Sequence, residues 1–214
     1  MQTFKNAASA SIVISIADRI IENRAYLSEI DGKIGDGDHG VNMAKGFGMA
    51  AERLKGQQDA TLGEAFELLG SVLMNEIGGS MGPLYGVMFT EFAEQLAGRE
   101  DIDPPIFSAM LHGGLEGIQS IGSAKVGDKT LLDALVPAID AFDAAIGAGE
   151  PFDSALGKLV VAAENGRDST LNLVAKIGRS ARLGDRSLGV LDAGATSCAI
   201  ILKQLCQSVQ ERLL

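Results

Sequence analysis

The densest chemistry in this chain lies in ten residues, Asp31-Gly-Lys-Ile-Gly-Asp-Gly-Asp-His-Gly40, which hold three carboxylates, one imidazole and four glycines. Asp36 and Asp38 are two apart, and Asp31 and Asp36 are five apart. Neither spacing stacks side chains on one helix face. The three carboxylates are therefore expected to converge only in a bent loop, with Gly35, Gly37 and Gly40 supplying the backbone freedom. Converging carboxylates repel one another unless a cation sits between them. Oxygen-only ligation suits a hard ion, Mg²⁺ or Ca²⁺. A calcium loop of the EF-hand type needs oxygen ligands at positions 1, 3 and 5, Gly at 6 and Glu at 12. Counted from Asp36, Gly40 stands at the fifth position and Phe47 at the twelfth; counted from Asp31, Lys33 stands at the third. Both registers fail. Mg²⁺ bound through a few aspartates, with places left for water and phosphate, fits better. A plain solvated acidic turn is the alternative that this segment alone leaves open.

A phosphate would need its own cradle, and three Gly-rich segments offer one. Gly78-Gly-Ser-Met-Gly82 stands before a helical stretch, where free N–H groups and the positive end of the dipole attract anions. Close helix packing would explain these glycines equally. Gly122-Ser-Ala-Lys-Val-Gly-Asp-Lys-Thr130 nearly spells a P-loop, but Asp128 is inserted before Lys129 and the preceding segment reads as helix. The P-loop is rejected, leaving either a turn with Thr130 capping a helix or ligand binding by another geometry. The region from Gly178 to Gly194 carries Arg179, Arg182 and Arg186, a residue type suited to phosphate oxygens. Ion pairing with Asp185 or Glu164 is the competing reading. His39 follows Asp38 directly and is expected to contact phosphate or support the metal. His112 reads as an ordinary helix-face histidine, and Met43, Met49, Met74 and Met88 as core.

These segments must be held by helices. Ile12, Ile16 and Ile20 recur every four, predicting a helix over about 6–28. Further helices are expected from Asn42 to Leu54, from a Thr61/Glu64 capping box to Ile77, and from Leu84 to Leu96. Asp103-Pro-Pro opens another to Ile121, followed by Thr130 to Ile146, Pro151 to Thr170 and a last one from Ala195. About eight helices without a convincing strand or long linker predict a single all-α domain over residues 1–214. With antiparallel neighbours, every second connection falls at the same end. The Asp loop and the Gly78, Gly122 and Gly178 regions would then share one rim.

Composition narrows the partners. Of 214 residues, 46% are hydrophobic and 5% aromatic, with no Trp, so the core must come from aliphatic side chains. A formal net charge of -10 without a Lys/Arg cluster argues against nucleic acid and anionic membranes. Cys198 and Cys206, eight apart on one apolar helix, cannot form a disulfide and read as buried thiols in a reducing compartment. No apolar run reaches the ~18 residues of a membrane span, and the start does not read as a signal peptide. A cytoplasmic protein is expected.

Taken together, Asp31-x4-Asp36-x-Asp38-His39-Gly40-x-Asn42, Gly78-Gly-Ser-Met-Gly-Pro-Leu-Tyr-Gly86, Gly127-Asp-Lys-Thr130, Gly178-Arg-Ser-Ala-Arg-Leu-Gly-Asp-Arg-Ser187 and Asp192-Ala-Gly-Ala-Thr-Ser197 resemble the nucleotide-binding L subunit of dihydroxyacetone kinases, in order and over nearly the whole chain. The resemblance implies a barrel of eight antiparallel helices with the nucleotide, ADP or ATP, at one rim. It implies that Asp31, Asp36 and Asp38 hold two Mg²⁺ ions. His39, Gly40, Val41 and Asn42 match phosphate-side contacts, and Gly79, Ser80 and Met81 match the Gly-rich phosphate loop. Gly122 and Leu131 match positions near the adenine, and Thr130, from the Gly127-Asp-Lys-Thr130 motif, is a further candidate at the nucleotide. Arg179 matches an arginine at the nucleotide and, with His39, is the candidate catalytic residue. Asp192, Ala193 and Gly194 close the pocket; the family often has Asp-Pro-Gly there, so Ala193 is expected to loosen that turn. The resemblance further implies phosphoryl transfer to dihydroxyacetone or a similar small ketose on a separate K-type subunit. A phosphotransferase-system M subunit can rephosphorylate the nucleotide in some members, and the resemblance also admits a homodimer. A module that contacts a transcription regulator without transfer is the alternative. A magnesium-dependent phosphohydrolase lacks an evident nucleophile or base for water.

Overall fold

The computed structural model describes residues 2–57 and 59–214. Among them are nine α-helices: α1 (Ala10–Glu22), α2 (Arg24–Ile34), α3 (His39–Leu54), α4 (Leu62–Glu76), α5 (Met81–Leu96), α6 (Pro104–Ile121), α7 (Leu132–Gly147), α8 (Phe152–Ser169) and α9 (Ala193–Gln210). Two 3₁₀ segments, Thr170–Asn172 and Ser180–Ser187, lie between α8 and α9. The all-α expectation holds. Two strands of two residues each, β1 (Phe4–Lys5) and β2 (Asp101–Ile102), pair antiparallel with Phe4 opposite Ile102. Two residues are too few to leave an alternating pattern in the sequence.

Local chemistry sets the helix ends. The Thr61 hydroxyl accepts the Glu64 N–H while the Glu64 carboxylate accepts the Thr61 N–H, the capping box expected at α4. Asp103 accepts the Ile106 N–H ahead of Pro104 at the start of α6. Asp192 accepts the Ala195 N–H at 2.7 Å to open α9. The expected helix over 6–28 is instead two helices broken at Asn23. Both the backbone N–H and the side-chain amide of Asn23 bond the Arg19 carbonyl, and its φ/ψ of -91/7 leaves the helical path. The second helix then runs on to Ile34, so Asp31 lies in a helix and not in a loop. α5 starts at Met81, earlier than the expected Leu84, because Pro83 falls in its first turn, where the missing N–H costs nothing.

One contiguous apolar core runs from Phe4 to Val209. Phe47, Phe66, Tyr85, Phe89 and Phe92 stack within it between α3, α4 and α5, with ring centroids 5.4–6.3 Å apart. Phe4, Phe107, Phe142 and Phe152 form a second aromatic group. Cys198 and Cys206 are buried free thiols, as expected, and burial pushes Cys198 up to about 12. His112 pairs with Asp143 at 2.7 Å on the surface. Among the described residues no helix is long and apolar enough to cross a membrane.

The connections divide between two ends. At one end Asn6, 3% exposed, joins three elements. Its amide donates to the carbonyls of Leu96 and Arg99, its side-chain oxygen accepts the Gly63 N–H, and its backbone carbonyl accepts the Leu62 N–H. At the other end lie the connections α2–α3, α4–α5, α6–α7 and α8–α9, all contributing to one cavity.

Candidate functional site

That cavity, of about 290 Å³, is lined by Asp31 to Asn42, Gly78 to Tyr85, Lys129 to Leu131, Ile177 to Ser180 and Asp192 to Gly194, with some positions in the first two stretches turned away. Each stretch either begins a helix or leads into one. Four helix N-termini, those of α3, α5, α7 and α9, therefore converge on the same space. Each points the positive end of its dipole at that space, which favours an anion. The expected gathering of four connections on one rim is what the fold provides.

Beside these N-termini sit the carboxylates. Asp31 is in the last turn of α2, Asp36 in the four-residue link and Asp38 at the N-cap of α3. Each can offer one oxygen such that all three lie within 4.8 Å of one another. A helix–loop–helix corner achieves what the sequence spacing reserved for a loop alone. Gly37 makes the corner possible with φ +76. Asp38 occupies the cap position without bonding the helix through its side chain, so its carboxylate stays available. Asp31 keeps one oxygen on the His39 N–H at 3.2 Å. Arg179, from the 3₁₀ region, pairs with Asp36. A compact all-oxygen set of this kind fits a hard divalent cation.

His39 is fixed from behind. Its Nε2 lies 3.0 Å from the Ser197 hydroxyl, which lies 2.7 Å from the Tyr85 hydroxyl; both hydroxyls reach the Gly194 carbonyl, at 3.1 and 3.2 Å. Burial lowers the His39 pKa and so favours the neutral imidazole, opposed in part by the charge of Asp31. Burial likewise raises the Tyr85 phenol well above its ordinary value. Asp192 is pushed up to about 7, chiefly by burial; the Ala195 N–H and Lys129 pull it down, and Asp133 and Asp31 push it up.

Most of the site residues expected from the sequence meet here. Asp31, Asp36, Asp38, His39, Asn42, Gly79, Ser80, Met81, Thr130, Leu131, Arg179, Asp192, Ala193 and Gly194 all line the cavity. Gly40, Val41 and Gly122 do not. Gly40 faces α2: a Cβ there would fall 2.1 Å from the Arg24 carbonyl and 2.7 Å from the Ser28 hydroxyl. Val41 is exposed, and Gly122 caps the C-terminus of α6. Arg182 and Arg186 also stay outside. Tyr85, Ser197, Asp133 and Lys129 have structural parts here that the sequence reading did not assign. Polar Thr196 and Ser197 inside the apolar stripe of α9 were the available signal for one of them. Asp133 accepts the N–H groups of Gly127 and Thr130, at 2.6 and 2.7 Å, and so shapes the turn that resembles a P-loop. A second cavity, between α1, α8 and α9, is lined by Arg19, Arg167 and Lys203, but each of these is paired, with Glu22, Asp168 and Glu164 respectively.

Comparison with known proteins shows the family and the fold. A family model described as the DAK2 domain matches residues 33–207. The chain is 34% identical over 191 residues to the ADP-binding subunit DhaL of PEP-dependent dihydroxyacetone kinase 1 of Listeria innocua, covering 89% of this chain and 90% of that one. It is 36% identical over 192 residues to the ADP-binding subunit DhaL of the PTS-dependent dihydroxyacetone kinase of Lactococcus lactis, covering 90% and 92%. Among solved structures, the dihydroxyacetone kinase from C. freundii in complex with AMP-PNP and Mg²⁺ superposes with a TM-score of 0.70 at 29% identity, over 93% of this chain and 33% of that chain. The present chain thus spans about a third of that larger kinase.

Proposed function

This chain belongs to the DAK2 domain family, and we propose that it is the ADP-binding subunit of a dihydroxyacetone-type kinase, holding Mg²⁺-nucleotide at the rim described above. The observation that carries the reading is the placement of three carboxylates within 4.8 Å of one another beside four converging helix N-termini. Cation ligands and anion-binding backbone are the two halves of a metal–polyphosphate site.

In this reading Asp31, Asp36 and Asp38 hold two Mg²⁺ ions. Bound there, the ions would neutralise phosphate charge and so favour passage of the γ-phosphoryl group to a ketose hydroxyl. The chain's own groups position and stabilise. The backbone N–H groups at Gly79 to Met81 receive phosphate oxygens, with His39 and Asn42 lining the cavity beside them. Arg179 stands beside Asp36, where its guanidinium can shift onto charge that builds during transfer. His39, neutral and tied to Ser197, offers Nδ1 to the ligand without adding charge. Thr130, Leu131 and Asp192 to Gly194 close the opposite wall.

The acceptor hydroxyl belongs to dihydroxyacetone or a related small ketose on a separate K-type subunit. The word "subunit" in the relatives' names and their PEP- and PTS-dependence support this partner, and with it an M-type subunit that rephosphorylates ADP in place. Residues 1–214 act as one domain, supported by the contiguous core. The setting is reducing and cytoplasmic, which suits two buried free thiols.

Calorimetry with ADP in the presence and absence of Mg²⁺ tests the reading. Wild-type protein is expected to bind only with the metal. Asp36→Asn is expected to abolish that binding while leaving the fold intact. Arg179→Ala is expected to slow phosphoryl transfer at least tenfold when the chain is combined with a K-type subunit. ADP affinity indifferent to both Mg²⁺ and Asp36 would overturn the assignment.

A further inference from the structure

Between α8 and α9 the chain makes a long excursion that returns to its starting point. The Gly189 N–H donates to the Leu171 carbonyl at 2.8 Å, and the Asp192 N–H to the Thr170 hydroxyl at 3.0 Å. The middle of this excursion brings Ile177 to Ser180 over the cavity, Arg179 among them. Little apolar surface holds it down. From Leu171 to Leu191 only Ala175 and Ser187 are buried, while Leu171, Ile177 and Leu188 are exposed.

Its anchor is polar and comes from the turn that precedes α7. Lys129 is 1% exposed, and its Nζ donates to the carbonyls of Thr170, Leu173, Ser187 and Val190 at 2.8, 3.1, 2.6 and 2.5 Å. Two of these acceptors lie on the outgoing limb and two on the returning limb. Three ammonium protons shared among four carbonyl oxygens leave none for a ligand. Lys129 also adopts φ +64, uncommon for a residue with a side chain. Its side chain thereby reaches into the excursion from the edge of the cavity, which it lines with Thr130 and Leu131. A charged donor to several carbonyls outranks an ordinary hydrogen bond, and an unsatisfied cluster of buried carbonyls is costly.

We propose that Lys129 is a positioning residue for the nucleotide site. It does not bind phosphate, as the lysine of a P-loop would. It pins both limbs of the segment 170–191 to the turn that precedes α7, and so fixes where Arg179 and the Asp192–Gly194 turn stand. The proposal rests on the nucleotide reading for its effect on binding, but its structural part stands without a ligand.

The test is hydrogen exchange on the ligand-free chain, followed by calorimetry with ADP and Mg²⁺. Lys129→Met keeps the bulk of the side chain and removes the donor. It is expected to speed exchange of the Lys176, Gly189 and Asp192 amides at least tenfold, to leave the α4 and α5 amides unchanged, and to weaken ADP binding at least tenfold. In Lys129→Ala, added propylammonium should restore both protection and affinity, a rescue that no phosphate-binding or merely space-filling role predicts. Exchange in 170–191 within twofold of wild type, or failure of both variants to fold, overturns the local pinning role. Failure of wild-type protein to bind ADP would remove the nucleotide reading and leave the exchange comparison to decide on Lys129 alone.

Discussion

His39 and Ser197 stand 158 positions apart, yet His39 Nε2 and Ser197 Oγ meet at 3.0 Å, so α9 sets the ring that α3 presents to the cavity. Without that partner the imidazole would have a buried nitrogen to satisfy and rotamers to choose between. Ser197→Ala is expected to lower stability by about 1–3 kcal/mol and to weaken ADP binding severalfold, with Tyr85 keeping its bond to the Gly194 carbonyl. Urea unfolding and calorimetry on the same sample read both effects. Unchanged affinity alongside lost stability would show that the His39 orientation does not matter to the ligand.

Gly40 answers to α2 more than to the cavity. Its missing side chain lets α3 lie against the Arg24 carbonyl, where a methyl group would sit 2.1 Å away. Backbone cannot yield as a flexible side chain can. Gly40→Ala is expected to cost about 1–3 kcal/mol or more and to disturb the Asp31–Asp38 corner. A thermal midpoint equal to that of wild type would refute this.

Asp192 links stability to acidity. Its pKa in the folded chain, about 7, lies above the ordinary 3.8, so the folded protein keeps a proton that the unfolded chain has released. The resulting stabilisation is complete below about pH 4 and is lost as pH rises through about 7, at up to ~1.4 kcal/mol per pH unit. Asp192→Asn can still cap α9 but cannot titrate. In metal-free buffer, wild-type protein should lose stability relative to Asp192→Asn across that window. Parallel stability curves for the two proteins would contradict the shift.

Asn6 provides the contrast. Its three side-chain hydrogen bonds, two of them buried, lie at the end away from the cavity. Asn6→Ala is expected to cost about 2–3 kcal/mol and to leave the ADP dissociation constant within twofold. A large loss of affinity in a folded variant would show that the two ends communicate.

How much of this was legible depends on which force wrote the signal. Helix periodicity, the Thr61/Glu64 box and Asp103-Pro-Pro are local, and the corresponding helices stand where the sequence puts them. The break at Asn23 was hidden because a side-chain amide competing for one carbonyl leaves no trace in an apolar pattern. Placing Asp31 in a loop followed from asking all three carboxylates to share one element; the structure draws them from two helices and the link between them. The grouping of the rim was readable from topology. Lys129 was not, because lysine is ordinarily a surface residue, and only long-range packing turns it inward. Gly40 reads as a flexible loop residue in the sequence and as a point of helix contact in the fold.

The separation of the connections into two ends has an evolutionary corollary. Links that stitch helices together at the Asn6 end and links that face the cavity share no residues. Substitutions that retune what the rim accepts need not be matched by repairs to the scaffold, and scaffold drift need not erode the rim. A lineage built this way can vary what the rim binds through its four connections, while inheriting the same frame.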